Sequence, residues 1–588
     1  MKKIQLSYDV VIAGGGMAGV CAAIASARHG AKTALIQNRP VLGGNASSEI
    51  RMHICGASVH ASRADARETG IIEEIQLENK RRNPNHSFSV FDTILWEKVH
   101  FQEGLDLFLN THMMEVKTLG SRILSLEAEQ LTTEKRICFF GKIFMDATGD
   151  GTLSYLAGAD YFLGREDRKV YGEAHAPEQG DSATMGNTLM FKAVDMRKRV
   201  PFLKPAWANT YTGEDLRFRD HSDISSGYWW IELGGDKLNT IDDAELLRDE
   251  LIKAVYGVWD YIKNKEALAD TYDLDWVGFL PGKRESRRVL GDYVLREEDC
   301  FHGRIFEDAV AYGGWPMDDH VFGGLASKAE PNKNIDLEEL YTIPYRCLYS
   351  RNIDNLMLGG RIISTSHMAF SSTRVMATCA VAGQAGGTAA AMAIEKSIMP
   401  REVGNWLDEL QQRLLKDDCY IPGIINHDKK DLAREAKIKF SSSKEGAGGE
   451  LVTAGTGRKG KNSVNCWISE ALGKGGAWIA LGFQSTVRIK SLHLTFDSNL
   501  SKDIMISLSA AAQSEQNPDT PPELVKNYDI EFYQNDKAVY TQSVRGNYQR
   551  HRIHQFDTGI LCTEVRIRVL ETWGDLCARI FEIRAYEE

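Results

Sequence analysis

The sequence of 588 residues has no cysteine cluster, no long basic run and no internal repeat. Its ten cysteines are scattered, with no two within ten positions of each other, which excludes local CxxC signatures of zinc or iron–sulfur sites. The net charge of −11 argues against nucleic acid as the main partner. Scattered cysteines without a secretion signal are typical of reduced thiols in the cytoplasm. We therefore expect a cytoplasmic protein whose partner is a small molecule.

Long uncharged runs occur at two places, and neither predicts a membrane span. The run from Val10 to Ala27 imitates a secretory signal, but Asp9 heads it and three consecutive glycines interrupt it, so we reject that interpretation. The run from Val375 to Ile394 is long enough for a span, yet it contains Gln384 and is mostly alanine. It predicts a tightly packed helix of a soluble protein, and no membrane partner is expected.

Composition along the chain predicts an α/β core followed by an all-β domain. Hydrophobic residues make up 43% and charged residues 26%, which is ordinary for a globular protein. Residues 1–165 and 341–400 share an apolar, glycine-rich character and are expected to form one nucleotide-binding domain. Residues 166–340, rich in tryptophan and charge, predict an inserted α+β substrate domain. Residues 401–440 predict a helical connector, and the alternating strands of residues 441–588 predict a β-sandwich.

A glycine fingerprint follows the first predicted strand, at residues 9–13. The segment Gly14-Gly15-Gly16-Met17-Ala18-Gly19 matches G-x-G-x-x-G. Gly14 permits a tight turn, Gly16 allows close approach of a pyrophosphate, and Gly19 allows close packing of helix on strand. The alanine-rich helix that follows directs its positive N-terminus at the phosphates. A second predicted strand at Thr33–Ile36 completes the context, so dinucleotide binding is predicted.

The end of the second strand departs from this pattern. An acid normally holds the ribose hydroxyls there, but the residue after Ile36 is Gln37. A neutral amide can still hydrogen-bond a hydroxyl, although as an uncharged acceptor. Gln37 and the adjacent Asn38 therefore stay candidate cofactor contacts.

Four segments, in order, resemble the FAD signatures of two-domain flavoproteins with the glutathione-reductase type of Rossmann fold. They are the fingerprint, Arg39-Pro40-Val41-Leu42-Gly43-Gly44-Asn45, Asp146-Ala147-Thr148-Gly149-Asp150-Gly151, and Asn355-Leu356-Met357-Leu358-Gly359-Gly360-Arg361 before a helix expected to start around Ser372-Thr373-Arg374. The resemblance implies FAD, with non-covalent binding favoured. Besides the fingerprint and Gln37, the implied cofactor contacts are Asn38, Arg39, Gly43, Gly44, Asn45, Arg51, Ala147, Thr148, Gly149, Gly360, Arg361, Arg374 and Val375.

Longer segments resemble the bacterial FAD-dependent oxidoreductase family that also includes proteins similar to the flavin-binding part of heterodisulfide reductase. They are Asn45-Ala46-Ser47-Ser48-Glu49-Ile50-Arg51-Met52-His53-Ile54-Cys55-Gly56-Ala57, Arg284-Glu285-Ser286-Arg287-Arg288 and Ser364-Thr365-Ser366-His367-Met368-Ala369. The resemblance covers roughly residues 8–400 and implies a Rossmann-type FAD-binding domain with an inserted domain. It brings little knowledge of the substrate, and the cysteine-rich modules of some relatives are missing here.

The C-terminal region resembles a discoidin-like module of the coagulation-factor type C kind. The similar segments are Trp478-Ile479-Ala480-Leu481, Phe496-Asp497 and Ala578-Arg579-Ile580-Phe581-Glu582-Ile583-Arg584. Such sandwiches commonly bind glycans, while many are structural or form dimers. Because fold does not give function, both possibilities stay open.

Few protein groups are needed beside a flavin, because the cofactor carries the redox step. His367, between the Gly359-Gly360 turn and the last FAD helix, is the first candidate for a general base or acid, with a buried core histidine as the alternative. His53 and Cys55 follow the double-glycine loop and are candidates for proton transfer, or else they pack near the cofactor. The stretch Arg51-Met52-His53 also resembles the one that carries covalent flavin in fumarate reductase and succinate dehydrogenase flavoproteins, so a histidyl link is a further hypothesis.

Charged residues supply the remaining candidates. Arg284, Arg287 and Arg288 would share one face of a helix and clamp a carboxylate or polyol, with salt bridges as the alternative. Arg374, at the start of a Ser/Thr-capped helix, is expected to add positive charge at the flavin's pyrimidine edge, unless it forms a surface salt bridge. The run Asp318-Asp319-His320 resembles a metal cluster, but adjacent strand residues cannot all face one ion, so no metal is predicted.

The predicted function is an FAD-dependent oxidoreductase acting on a small polar substrate, with a carbohydrate derivative as one option. One alternative is a glycan-binding protein with a structural or vestigial flavin site. Another is a flavin-dependent, non-redox enzyme of the lyase type. The sequence has no second fingerprint for NAD(P)H, so the electron acceptor stays open, as does homo-oligomer formation.

Overall fold

The computed structural model describes residues 2–57, 65–266 and 268–587. The described residues form two compact units. The first unit is drawn from residues 1–56, 86–407 and 505–513, and the second from residues 57–85, 408–504 and 514–588. Each unit therefore combines segments that are distant in sequence. This division is coarser than the five segments predicted above, whose boundaries stay predictions.

Helices and strands alternate in the first two thirds of the chain, and strands dominate the last third. Among the described residues, helices α1 to α12 are Met17–Arg28, Ile71–Arg82, Phe88–His100, Thr152–Leu156, Arg168–Tyr171, Gly213–Leu216, Ala244–Asp260, Glu297–Phe301, His367–Thr373, Met376–Lys396, Leu407–Lys416 and Ala510–Glu515. Strands β1 to β25 are Lys2–Ala13, Thr33–Ile36, Leu105–Phe108, Thr111–Leu119, Arg122–Gln130, Lys135–Asp146, Tyr161–Phe162, Asn187–Thr188, Phe191–Asp195, Glu232–Leu233, Tyr272–Val277, Gly282–Lys283, Arg288–Val289, Ala309–Gly313, Met317–His320, Asn332–Ile335, Tyr341–Pro344, Leu356–Leu358, Lys437–Phe440, Trp467–Ala471, Ala477–Phe496, Val525–Gln534, Lys537–Val544, His551–Thr572 and Cys577–Tyr586.

A seven-stranded sheet organises the first unit. Strands β3, β2, β1 and β6 lie side by side in parallel, and β18 pairs in parallel with β6. Strands β5 and β4 extend the sheet in antiparallel pairing. Val10, Val11 and Ile12 of β1 are fully buried, as expected for a parallel strand covered on both faces. Since β1 lies between β2 and β6, the carboxyl ends of β1 and β6 form the point at which the strand order reverses, where α/β sheets bind ligands.

Helices α1 and α10 pack closely because α10 presents glycines at the contact. A Cβ on Gly383 would lie 2.3 Å from the carbonyl oxygen of Ala18, and one on Gly387 would lie 2.1 Å from that of Ala22. Helix α10 contains most of the uncharged run predicted to form a packed helix, and it is buried along most of its length. Within the described ranges, no helix is long and apolar enough to cross a membrane.

A separate hydrophobic core forms in the region inserted between β6 and β17. Phe191 of β9 and Val255 and Trp259 of α7 are fully buried there. Strand β9 pairs in antiparallel fashion with β11. This mixture of helix and short antiparallel strands confirms the predicted inserted α+β region within an α/β fold.

The second unit is an antiparallel β-sandwich, which confirms the sequence prediction. Its strands follow the order β20, β25, β21, β24, β22, β23, with β19 also paired to β21. Buried side chains such as Trp467, Leu492 and Ile567 fill its core. The two strands predicted around Trp478–Phe483 and Ile489–Leu494 are one strand, β21, because an irregular pairing between them replaces the expected turn.

Buried histidines make this unit sensitive to acid. Burial and neighbouring cations lower the pKa of His493 to about 2 and that of His554 to about 4. These rings are therefore neutral in the folded unit, whereas an unfolded histidine gains its proton near pH 6.5. Because the unfolded chain then binds more protons, the free energy of unfolding falls as the pH drops from about 6.5 toward 4.

We expect the free energy of unfolding of His554→Gln to depend less steeply on pH than that of the wild type. The slope should be smaller by roughly 1 kcal/mol per pH unit. The measurement is the Tm of the full chain across that pH window, compared with the wild type. His427→Gln is the matched control, because His427 is an exposed histidine of the same unit. A pH slope in His554→Gln equal to that of the wild type would contradict the prediction.

Candidate active site

Of the three glycines that the G-x-G-x-x-G pattern requires, Gly14 and Gly19 are tightly packed, and Gly16 has free space beside it. Gly14 has φ +104°, and a Cβ there would lie 2.2 Å from the carbonyl oxygen of Ala147, at the end of β6. A Cβ on Gly19 would lie 1.9 Å from the carbonyl oxygen of Gly14. By contrast, a Cβ on Gly16 would have no described atom within 4 Å. The structure thus leaves space at Gly16, the residue predicted to face a pyrophosphate.

The double-glycine segment lies directly against this loop. The Gly43 amide donates to the Gly15 carbonyl at 2.8 Å, and Gly43 forms a parallel bridge with Gly16. Gly43 and Gly44 both have positive φ, at 100° and 60°, which favours glycine at each position. The Asn45 side chain donates to the Lys283 carbonyl at 3.1 Å. The two glycine segments predicted to bind FAD therefore meet at the carboxyl edge of β1.

The Gln37 side chain forms hydrogen bonds with both of these segments. Its Oε1 accepts from the Gly15 amide at 2.9 Å, and its Nε2 donates to the Val41 carbonyl at 3.1 Å. The residue is only 4% exposed. A carboxylate could accept the first bond but could not donate the second, which gives a physical reason for an amide here. A contact from Gln37 to a ribose hydroxyl stays a prediction.

Two cationic side chains, Arg361 and Lys283, lie next to the Ala147-Thr148-Gly149 segment, where both pair with Asp150. Arg361 Nη2 pairs with Asp150 Oδ1 at 2.9 Å, and Lys283 Nζ pairs with Oδ2 at 2.6 Å. Burial alone would raise the pKa of Asp150, but Arg361 and Lys283 lower it. Arg361 Nε is buried without a hydrogen-bond partner among the described residues. Arg39 pairs with Glu49 at 3.2 Å, and burial and the charge of Arg361 lower the pKa of Arg39.

These features fit a dinucleotide such as FAD. The open space at Gly16 suits close approach of a phosphate, and the unpartnered Nε of Arg361 suits an anionic acceptor. Gly149 lies against Arg361, since an added Cβ would be 2.9 Å from Nη1. The residues that would hold the pyrophosphate are therefore the fingerprint loop and Arg361.

His367 begins α9, shortly after the 3₁₀ turn Gly360–Ile362. Its Nδ1 lies 2.9 Å from Glu285 Oε1 and its Nε2 lies 3.2 Å from Asp319 Oδ1. Its backbone amide donates to Glu166 Oε2 at 2.9 Å. Burial alone would lower the pKa of His367, but the carboxylates of Glu285 and Asp319 raise it to about 10. The ring is therefore an imidazolium at neutral pH.

Arg288 is fully buried and pairs with the same two carboxylates, Glu166 and Glu285, that bond to His367. It pairs with Glu166 at 2.8 Å and also with Glu285. It donates further hydrogen bonds to the carbonyls of Gly164, at 2.6 Å, and Thr365, at 3.2 Å. A buried charge is tolerated when it is paired and hydrogen-bonded in this way. Arg288, Glu166, Glu285, His367 and Asp319 form what we call the His367 network.

Strand β15 separates this network from a second set of charges. Asp318 and His320 face one side of the strand, where His320 Nε2 lies 3.0 Å from Asp318 Oδ2 and Nδ1 lies 2.9 Å from Glu232 Oε1. Asp319 faces the other side, toward His367, because successive strand residues alternate. In the part of the chain that the structure describes, no group of His, Cys, Asp and Glu is arranged to hold a metal ion.

The three arginines near residue 285 do not share a helical face. Residues 284–287 form no helix between the short strands β12 and β13, and the three side chains reach different partners. Arg284 pairs with Glu232 at 2.7 Å. Arg287 donates to the Asp150 carbonyl at 3.0 Å and lies over the Tyr155 ring at 4.2 Å. The shared clamp expected from their spacing is therefore wrong, because it required a helix.

The last FAD helix also begins later than expected. Helix α10 starts at Met376 with Val375 as its N-cap, and no side chain caps it. Arg374 ends α9 instead, where its Nη2 pairs with Asp318 at 2.8 Å. The first turn of α10 contacts the segment that follows the double-glycine loop, since the Ala377 amide donates to the Cys55 carbonyl at 2.9 Å. The predicted Ser/Thr cap is thus corrected, while cofactor contacts from Arg374 and Val375 stay predictions.

Two other predicted residues contact tryptophans of the inserted region. The His53 ring meets the Trp229 ring edge to face at 5.5 Å. The Arg51 guanidinium lies 4.3 Å from the centre of the Trp276 ring. Both tryptophans are half-buried. The structure therefore places His53 and Arg51 beside aromatic side chains.

Sequence reasoning missed the carboxylates of the His367 network as site residues. Glu285 lies between Arg284 and Arg287, in the segment whose arginines were predicted to bind the substrate. An acidic residue at that position could therefore have indicated a site residue. Glu166 is 201 residues from His367 in sequence, and Asp319 is 48 residues from it. No local pattern joins either one to the histidine.

Residues 9–414 match the sequence profile of a family described as FAD dependent oxidoreductase. This range includes the fingerprint, the double-glycine segment and the His367 network. It spans more than half of the chain, and it agrees with the family and the enzyme class predicted from the sequence. No sequence among the curated proteins matches the chain significantly.

Some solved structures that resemble part of the chain are carbohydrate-binding modules. A fucose binding module of Streptococcus pneumoniae, SpX-3, is 15% identical with a TM-score of 0.20, covering 26% of this chain and 96% of that one. The family 32 module of C. perfringens NanJ, in complex with galactose, is 15% identical with a TM-score of 0.19, covering 26% and 96%. At such scores, these similarities support no conclusion about a ligand of this chain.

We expect Gly16→Ala to weaken flavin binding by about tenfold or more while leaving the apoprotein Tm unchanged. The added methyl enters open space, but it occupies the place of close phosphate approach. The measurements are the flavin-to-protein absorbance ratio and the Kd of the apoprotein for FAD. Gly404→Ala is the control, because its methyl also meets open space but lies outside the fingerprint. Wild-type flavin affinity in Gly16→Ala would contradict this assignment.

Proposed function

Because the chain belongs to the FAD-dependent oxidoreductase family, we propose that it oxidises an alcohol, or reduces the corresponding keto group, on a small polar molecule such as a carbohydrate derivative. FAD, held non-covalently by the fingerprint loop and Arg361, would supply the hydride acceptor or donor. The observation that carries this proposal is the buried ring of His367, whose two nitrogens each lie within hydrogen-bond distance of a carboxylate.

A fixed positive charge suits a reaction in which a substrate oxygen becomes more negative. When an alcohol is oxidised, its hydroxyl proton is released to water and its oxygen gains alkoxide character; when a carbonyl is reduced, its oxygen gains negative charge. With a pKa of about 10, His367 carries a proton at neutral pH and does not act as a base there. Of its two predicted roles, we favour the acid: during reduction the substrate oxygen approaches Nε2 beside Asp319 Oδ1, shares the Nε2–H that the longer bond to Asp319 now holds, and receives that proton.

The neighbours of His367 hold the ring in place. Glu285 fixes Nδ1, Asp319 fixes Nε2, and Glu166 accepts from the backbone amide. The ring is 3% exposed, so little water competes for these bonds. Because the ring is fixed in advance, the reaction does not have to reorient it, which is how preorganised sites lower a barrier.

Aromatic side chains support a carbohydrate derivative as the substrate. Trp229 contacts His53, Trp276 contacts Arg51, and the rings of Trp229 and Trp230 lie 5.7 Å apart. Ligand sites combine such apolar surfaces with a few placed polar groups. The apolar face of a sugar ring fits an indole ring, while its hydroxyls need the polar groups.

The test follows the flavin spectrum. Acid precipitation should release all flavin to the supernatant, and anaerobic mixing with a panel of sugars, polyols and sugar acids should bleach the bound flavin with one substrate class. We expect His367→Gln to slow flavin reduction about 100-fold at unchanged flavin content, because the charge that stabilises the developing alkoxide is lost. His302→Gln, at an exposed histidine paired with Glu338, is the control.

Three outcomes would each contradict a part of the proposal. A flavin that none of the panel reduces, with no keto compound reoxidising the reduced enzyme, would remove the redox assignment. Reduction of His367→Gln at the wild-type rate would remove His367 from the reaction. Flavin retained in the acid pellet would overturn non-covalent binding.

A further inference from the structure

Four of the five side chains in the His367 network are almost inaccessible to solvent, and the fifth is partly exposed. The side chains of Arg288, Glu285, Glu166 and His367 are between 0% and 4% exposed. The side chain of Asp319 is 28% exposed. A molecule approaching this network from solvent therefore meets Asp319 before it meets His367.

The carboxylate of Asp319 has one oxygen committed and one available. Oδ1 lies 3.2 Å from His367 Nε2. No described residue hydrogen-bonds to Oδ2. Burial would raise the pKa of Asp319, but His367 and Arg165 lower it, so the group is ionised at neutral pH. An ionised carboxylate oxygen is a strong acceptor with no donor of its own.

The positive charges around Asp319 are already paired. Arg165 Nε donates to Asp181 Oδ1 at 3.0 Å, and its guanidinium lies over the half-exposed ring of Phe322 at 4.7 Å. On the far side of β15, Arg374 pairs with Asp318 and Arg284 with Glu232. These arginines are thus neutralised by carboxylates. Asp319 therefore carries the negative charge that repels an approaching anion, whereas neutral hydroxyl groups can donate a hydrogen bond to it.

We propose that Asp319 contacts the substrate and selects a neutral polyhydroxy compound over its acidic counterpart. A hydroxyl next to the reacting carbon donates to Oδ2, while Oδ1 keeps His367 in place. Asp319 thus orients the substrate and positions the histidine. This inference rests on the proposed function and adds to it both the residue that recognises the substrate and the substrate's charge.

The test compares Asp319→Asn with the wild-type holoenzyme. The amide has nearly the same shape but lacks the charge. With glucose and myo-inositol as neutral probes, we expect the KM to rise about 10- to 100-fold, because a hydrogen bond to a charged acceptor is lost. With gluconate and glucuronate, we expect the preference for neutral probes to shrink. Isothermal titration of the pre-reduced holoenzyme, which cannot oxidise the probe, gives the Kd without turnover.

A pH profile separates this role from a merely structural one. Asp319 helps to raise the pKa of His367, so Asp319→Asn should shift the alkaline limb of kcat toward lower pH. Asp319→Glu keeps the charge and should restore part of the affinity and of the pH profile. Asp292→Asn is the matched control, because Asp292 has similar exposure, 31%, and pairs with Arg401 instead.

The outcomes distinguish this inference from the proposed function. If no probe changes the flavin spectrum of the wild type, the proposed function fails. If the wild type oxidises neutral probes and Asp319→Asn keeps the same KM, Kd and pH profile at wild-type Tm, the role of Asp319 is overturned. A wild type that prefers gluconate or glucuronate would also overturn it. If Asp319→Asn loses its fold, Asp319→Ser, which also removes the charge, decides by the same three measurements.

Discussion

The buried charge of Arg288 is the constraint on which the candidate site depends. Removing a guanidinium from water costs several kcal/mol, so it is stable only among close acceptors. Glu166 and Glu285 provide them, but two carboxylates around one arginine leave negative charge in excess. His367, protonated, balances that charge, and its remaining ring N–H needs an acceptor, which is Asp319. The position and protonation state of His367 thus follow from the electrostatics around Arg288.

The same stretch of chain connects this network to the nucleotide-binding edge. Strand β18 pairs with β6, and the Gly360–Ile362 turn that follows carries Arg361 to Asp150. Six residues after Arg361 the chain reaches His367. Since both segments start from one strand of the central sheet, the positive charge at the dinucleotide edge and the imidazolium are held by a single rigid support.

Local patterns predicted the framework of the site, and partners distant in sequence escaped them. The strand Thr33–Ile36 and the glycine fingerprint appear as predicted, because strand and turn chemistry are written in consecutive residues. The arginine spacing at 284–288 suggested a helix, but charge spacing alone lacks the apolar period that stabilises one. The cap near Thr373 failed because the hydroxyls of Ser371 and Ser372 bond to the carbonyls of Met368 and Trp315 instead. Ion pairs such as Glu166 with Arg288 join residues that only the fold brings together, so no short sequence motif predicts them.

The protonation state of His367 tests the account most directly. In protein labelled with ¹⁵N-histidine, comparison with His367→Gln assigns the ring signals of His367. We expect both ring nitrogens to carry protons at about pH 8 and the ring to titrate only near pH 10. A neutral His367 ring at about pH 8, titrating near the ordinary value of about 6.5, would contradict it. Glu285 and Asp319 would then not hold an imidazolium, and the proposed role in oxygen stabilisation would fall with it.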